Sequence, residues 1–194
     1  MTGAWIIGAA ALLLGSAAQD GTGASQPAAA KPGGAMAGMA MPSQQGDTPA
    51  CPATPAPLPA GFAGWSSATS LAAGTEAGNA TALPIGTAAR VALTDAAAVH
   101  YAVAPEHVPA AGSHGGLIAL TVASAGRYRV GLGAGAWIDL VQGTAALRSA
   151  AHGHGPACST LRKIVDFDLQ PGRYLLQLSG NAAPTLAVMV VSAG

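Results

Sequence analysis

The sequence predicts an all-β protein: a single antiparallel β-sandwich, jelly-roll-like, of about eight to nine strands. Two observations carry this. Large apolar residues alternate with small or polar ones in six separate runs, and Gly- or Pro-containing dipeptides fall between the runs. A period of two places one set of side chains inward and the other outward, as in a half-buried strand.

The runs, in order, begin with Val99, Tyr101 and Val103. Ile118, Leu120 and Val122 follow, then Tyr128, Val130 and Leu132. Val165, Phe167 and Leu169 come next, then Tyr174, Leu176 and Leu178, and last Leu186, Val188 and Val190. The turn signals are Ala125-Gly126, Gly133-Ala134-Gly135, Gln142-Gly143, Pro171-Gly172 and Gly180-Asn181. Short strands spaced by such turns belong to sandwiches and barrels. No amphipathic helix of ten residues is expected in this region. By their phase Tyr101, Tyr128 and Tyr174 point into the core, and His100 points out. His107 and His114 fall in Gly- and Pro-containing stretches and are expected in solvent.

What precedes the runs divides in two. Residues 4–18 are apolar, with Leu12, Leu13 and Leu14 at their heart, and end in Ser16 and Ala18 before Gln19. About 15 apolar residues are too few to span a bilayer, and small residues at −3 and −1 suit a signal-peptidase site. Residues 1–18 are therefore expected to be a signal peptide, although no Lys or Arg precedes the apolar run. Residues 19–60 hold Ala, Gly, Pro, Ser and Gln with almost no large apolar side chain. Such a segment cannot bury enough surface to offset its ordering entropy. It is expected to be a disordered linker, leaving residues 61–194 as the sandwich. The expected location is periplasmic or secreted, with no membrane span after signal cleavage.

Composition excludes other classes. Charged residues make up 8% of the chain, and eight basic residues balance eight acidic ones. No field is available to attract nucleic acid. There is no P-loop and no G-x-S-x-G elbow. Gly131-Leu132-Gly133-Ala134-Gly135-Ala136 matches a dinucleotide fingerprint, but the pattern beyond it reads as strand and turn where a helix is required.

Two cysteines, Cys51 and Cys158, allow one pairing, and an exported protein favours a disulfide. The segment His152-Gly153-His154-Gly155-Pro156-Ala157-Cys158 offers a second reading. Two His at i and i+2 on an extended segment share a side, so both reach toward one ion, with Cys158 as a further soft ligand. The two readings compete, since a disulfide sulfur is no thiolate. In the linker, Met36, Met39 and Met41 form M-x-x-M-x-M, a thioether set suited to copper or another soft transition metal. Trp65 and Trp137 are candidate platforms for a ligand.

Three resemblances add expectations. The segments HGHGPACS, KIVDF and PGRYLLQLSG look like those of small exported proteobacterial β-sandwich proteins, some named homogentisate 1,2-dioxygenase. His152-x-His154 also resembles part of the cupin metal motif, which implies a non-haem iron dioxygenase with Asp166 or Asp168 as third ligand. Gly126-x-Tyr128-x-Val130, Trp137-Ile138-Asp139-Leu140 and Pro171-Gly172-Arg173-Tyr174 resemble the bacterial pre-peptidase C-terminal domain. That implies a binding or accessory module, with Asp139 the remnant of an acidic calcium cluster.

The expected function is therefore non-catalytic: a periplasmic binding or accessory module for an unknown ligand or protein partner, with no obligatory cofactor. Its candidate ligand-binding residues are Trp137, Asp139, Asp166 and Arg162. Metal handling through His152, His154 and the three Met is the alternative, and the dioxygenase a further one.

Overall fold

The computed structural model describes residues 51–52 and 56–194, which belong to the compact unit Asp47–Gly194. The expected signal peptide and Met36, Met39 and Met41 lie outside the described residues, as does most of the expected linker. The unit is a β-sandwich of two packed mixed sheets, with β-strands and two short 3-10 turns as its regular elements.

Twelve strands build it: β1 (Thr69–Ala72), β2 (Thr81–Ala82), β3 (Ala88–Ala92), β4 (Thr94–Asp95), β5 (His114–Val122), β6 (Gly126–Leu132), β7 (Trp137–Gln142), β8 (Ala145–Leu147), β9 (Ala151–Gly153), β10 (Lys163–Leu169), β11 (Gly172–Asn181) and β12 (Thr185–Ser192). The first sheet runs β1-β3-β12-β6-β10-β9; the second runs β2-β5-β11-β7-β8, with β4 paired to β5. The longer strands pair antiparallel, as expected. The count exceeds eight to nine because short edge strands of two to four residues carry too little pattern to read. Two pairings that involve such strands, β1 with β3 and β2 with β5, are parallel.

The register explains the core. Ile118, Leu176, Leu140 and Leu147 form one inward row across the second sheet. Val190, Val130 and Val165 form another across the first. Tyr128 and Tyr174 also point inward and are buried, and their hydroxyls donate to the carbonyls of Ser124 and Gln170 at the rims. Burying their rings therefore leaves no polar group unpaired.

Both outward faces are partly covered as well. Phe62 and Trp65 lie on the first sheet in a second apolar cluster with Leu161, Met189 and Val191. Trp65 is thus buried, its Nε1 donating to Thr160 Oγ1 at 2.8 Å, and is no ligand platform. Gly131 makes this close approach feasible: a Cβ there would strike the Phe62 ring and stand 2.8 Å from Leu161 Cδ1. Gly131–Ala136 is followed by strand β7, as the sequence pattern reads, and not by the helix that the dinucleotide fingerprint requires.

The second sheet is covered by a strap, residues 99–110. Val99, Tyr101 and Val103 alternate as a strand would, yet they form none. Val99 ends the 3-10 turn Ala96–Ala98, capped where Ala97 N–H donates to Asp95 Oδ1. Beyond it, Gln177 replaces a ladder partner: its Oε1 accepts from the N–H of Ala102 and Val103, and its Nε2 donates to Val103 O. Gln177 is fully buried with these bonds made. Tyr101 is only half-buried; its hydroxyl reaches toward Leu178 O above Gly115.

Cys51 and Cys158 form a disulfide across 107 positions, with Cα atoms 5.5 Å apart. No helix among the described residues is long and apolar enough to cross a membrane.

Candidate functional site

Where the β7–β8 edge of one sheet faces the β9–β10 edge of the other, the sandwich is open. A cleft of about 740 Å³ enters there. Its construction follows from the strand register. Ala89, Val188, Leu132 and Lys163 occupy one cross-strand row, and the first three are core residues. The next row, Val190, Val130 and Val165, ends on His152. Lys163 and His152 are therefore ionisable side chains placed on inward rows, at the edge where the core gives way to the cleft. Val165 and Phe167 line the floor between the sheets, and Arg148 stands on the link from β8 to β9.

Lys163 is half-buried. Its ammonium donates to Ala136 O at 2.9 Å and lies 4.8 Å from the centre of the Trp137 ring. Burial pulls its pKa below the ordinary lysine value, because the charged form loses water. Trp137 is 44% exposed, one of two large hydrophobic side chains in this state among the described residues; the other is Val108. His107 stacks on the Trp137 ring with centroids 3.5 Å apart and planes 5° from parallel. The strap thus ends against the cleft, and Val108 sits beside its stacked histidine.

Asp139 lies one turn of the pleat beyond Trp137, facing Gln177 across the register. It is buried, and burial pushes its carboxyl above the usual aspartate range. Hydrogen bonds from the Gln177 side chain and the Glu106 backbone favour the carboxylate and oppose the rise. The sign for stability follows. A carboxyl with its folded pKa above the unfolded one costs nothing below the ordinary value of 3.8, and weakens the fold as pH rises through the raised value. Asp139→Asn is expected to flatten that loss, read as a smaller fall in urea midpoint across the mildly acidic range. Equal slopes for both proteins would show that Asp139 does not titrate under the strap.

The other sequence candidates separate. Asp166 is on the opposite face of β10 from Val165 and His152; it pairs with Arg129 at 3.6 Å. Asp168 shares that face and takes a two-pronged bond from Arg127, which holds its carboxyl below the usual value. Neither aspartate turns toward His152, so the iron triad expected from the cupin resemblance is not assembled. His154 and Arg162 line a different, smaller depression beside Cys158. Strand β9 ends at Gly153, and the two histidines line different depressions. Among the described residues no group of three or more His, Cys, Asp or Glu converges to hold a metal. Asp139 accordingly has no acidic neighbours of the number calcium needs.

His107 is exposed outside any strand, as expected, while His114 departs from expectation. His107 is stacked, as described. His114 is in β5, half-buried, with its Nδ1 buried and without a protein partner among the described residues. Lys163, Arg148 and Gln177 belong to no motif that the sequence offers, and His107 carries no sign there of its stacking on Trp137. One signal existed for Lys163: it stands two residues before Val165 on the inward phase, where a lysine is out of place.

The fold and the cleft define a small β-sandwich domain with a ligand-sized opening between its sheets. The chain matches no protein-family model, and no curated protein matches it.

Proposed function

We propose that this chain is a non-catalytic binding module of the periplasm or cell exterior, and that the cleft beside Trp137 is where it holds its ligand. One observation carries the reading. Trp137, one of two exposed large hydrophobic side chains among the described residues, lines a cleft of about 740 Å³ and carries the stacked ring of His107. That size is in the range of small-molecule sites, and exposed aromatic surface beside a concavity is where ligands gain most from leaving water. The disulfide supports an oxidising compartment, where such bonds persist. Asp139 and His152 contribute to this site; Asp166 and Arg162 do not line it.

The test is a thermal-shift and fluorescence survey of the full chain with sugars, amino acids, organic acids and amines. At least one class is expected to raise the melting temperature and change Trp emission, and Trp137→Ala is expected to abolish both effects. The reading fails if no class shifts the melt, or if every shift survives in Trp137→Ala.

A further inference from the structure

Lys163 is the one lysine among the described residues, and it occupies a row whose other members are core residues. An ammonium held partly out of water calls for a counter-charge. Among the described residues none is supplied: their ion pairs are Arg127–Asp168 and Arg129–Asp166, both on the far face of β10. Its one side-chain hydrogen bond goes to a neutral carbonyl, which leaves two N–H donors over. Arg148 lines the same cleft, likewise without a carboxylate partner among the described residues, and His152 stands opposite Val165. Three cationic or protonatable groups from three elements thus face one space.

The acids of the cleft are placed otherwise. Asp139 is turned to the strap, where Gln177 and the Glu106 backbone occupy it. Glu106 is exposed on the strap itself. Next to Lys163 on its own face come Val165 and Phe167, at successive steps of about 7 Å along the strand. Ile138 and Leu147 approach from the other sheet. The surface is cationic at one end and apolar along its length.

We infer that the cleft takes a small carboxylate with an apolar body. The carboxylate sits at Lys163 and Arg148, and the body lies toward Val165 and Phe167. This rests on the cleft being the ligand seat and adds the chemical class.

The probes are benzoate and hexanoate, their neutral amides benzamide and hexanamide, and the amines benzylamine and hexylamine, titrated by calorimetry into the full chain. Carboxylates are expected to bind about tenfold tighter than the amides, with affinity falling as salt rises. Lys163→Met is expected to erase that preference. Because Lys163 also ties down Ala136, Arg148→Gln serves as a second variant, on the exposed link, and is expected to reduce the preference without changing the melt. Amides binding as tightly as carboxylates, or amines binding in their place, would overturn the inference and leave the binding reading standing. So would a failure of all six probes while another class in the wider survey still binds at Trp137. If nothing binds at Trp137, both fall.

Discussion

Phe62→Ala is expected to lower the free energy of unfolding by about 3–5 kcal/mol, the range for an aromatic removed from a packed site. Phe62 precedes the first strand and could be mistaken for part of a loose leader. Instead it is fully buried on the outer face of the first sheet, edge-on to Trp65 with ring centres 6.1 Å apart and planes at 77°. The strands beneath cannot close the gap, because Gly131 has no side chain to advance and Leu161 is already packed against the ring site. Urea denaturation of wild type and variant measures the effect. A loss under about 1 kcal/mol would show that residues 58–66 merely drape over the sheet.

Cys51→Ser/Cys158→Ser is expected to cost about 2–4 kcal/mol, and to do so mainly through the unfolded chain. Both residues are exposed, so little packing is lost in the fold. The cross-link spans 107 positions, and opening it returns a long loop's freedom to the denatured ensemble. Circular dichroism of the double variant should therefore match wild type at low temperature, while its urea midpoint falls. Thiol titration of denatured, unreduced wild type should find no free thiol. An unchanged midpoint would show that the bond does not restrain the unfolded chain.

The strands of the core were readable because each has a dry face and a wetter one. Val165, Phe167 and Leu169, buried, against Asp166 and Asp168, which are not, give the period directly. The same pattern misled at Val99, Tyr101 and Val103. Alternation reports that a segment lies between two environments, and a strap lying on a sheet meets that condition without pairing as a strand. Gln177 shows the converse. It holds the outward phase of its strand, yet it is fully buried, because nothing in residues 99–110 announces that they cover a sheet.

The candidate site was legible to the extent that one strand's phase determines it. His152, Trp137 and Asp139 could be named because each is odd within a local pattern. Their association with Lys163 and Arg148 depends on which edges the two sheets leave apart, and that is a property of pairing across the whole domain. Asp166 failed for the same reason: closeness in sequence to His152 said nothing of which side of β10 it would take.

The place of β12 has a consequence for how the chain matures. It is the last of the twelve strands to be synthesised, yet it lies inside the first sheet, between β3 and β6. Until Thr185–Ser192 arrives, β1 and β3 have no connection to β6, β10 and β9, and Val91 has no Leu186 to meet. A partly translated chain therefore presents two half-sheets with open edges and no means of joining them. Sheet closure has to wait for release of the complete domain, and it requires pairing across roughly half the chain, the kind of contact that forms slowly. A protein wired in this way keeps its half-sheets apart for as long as its last strand is withheld.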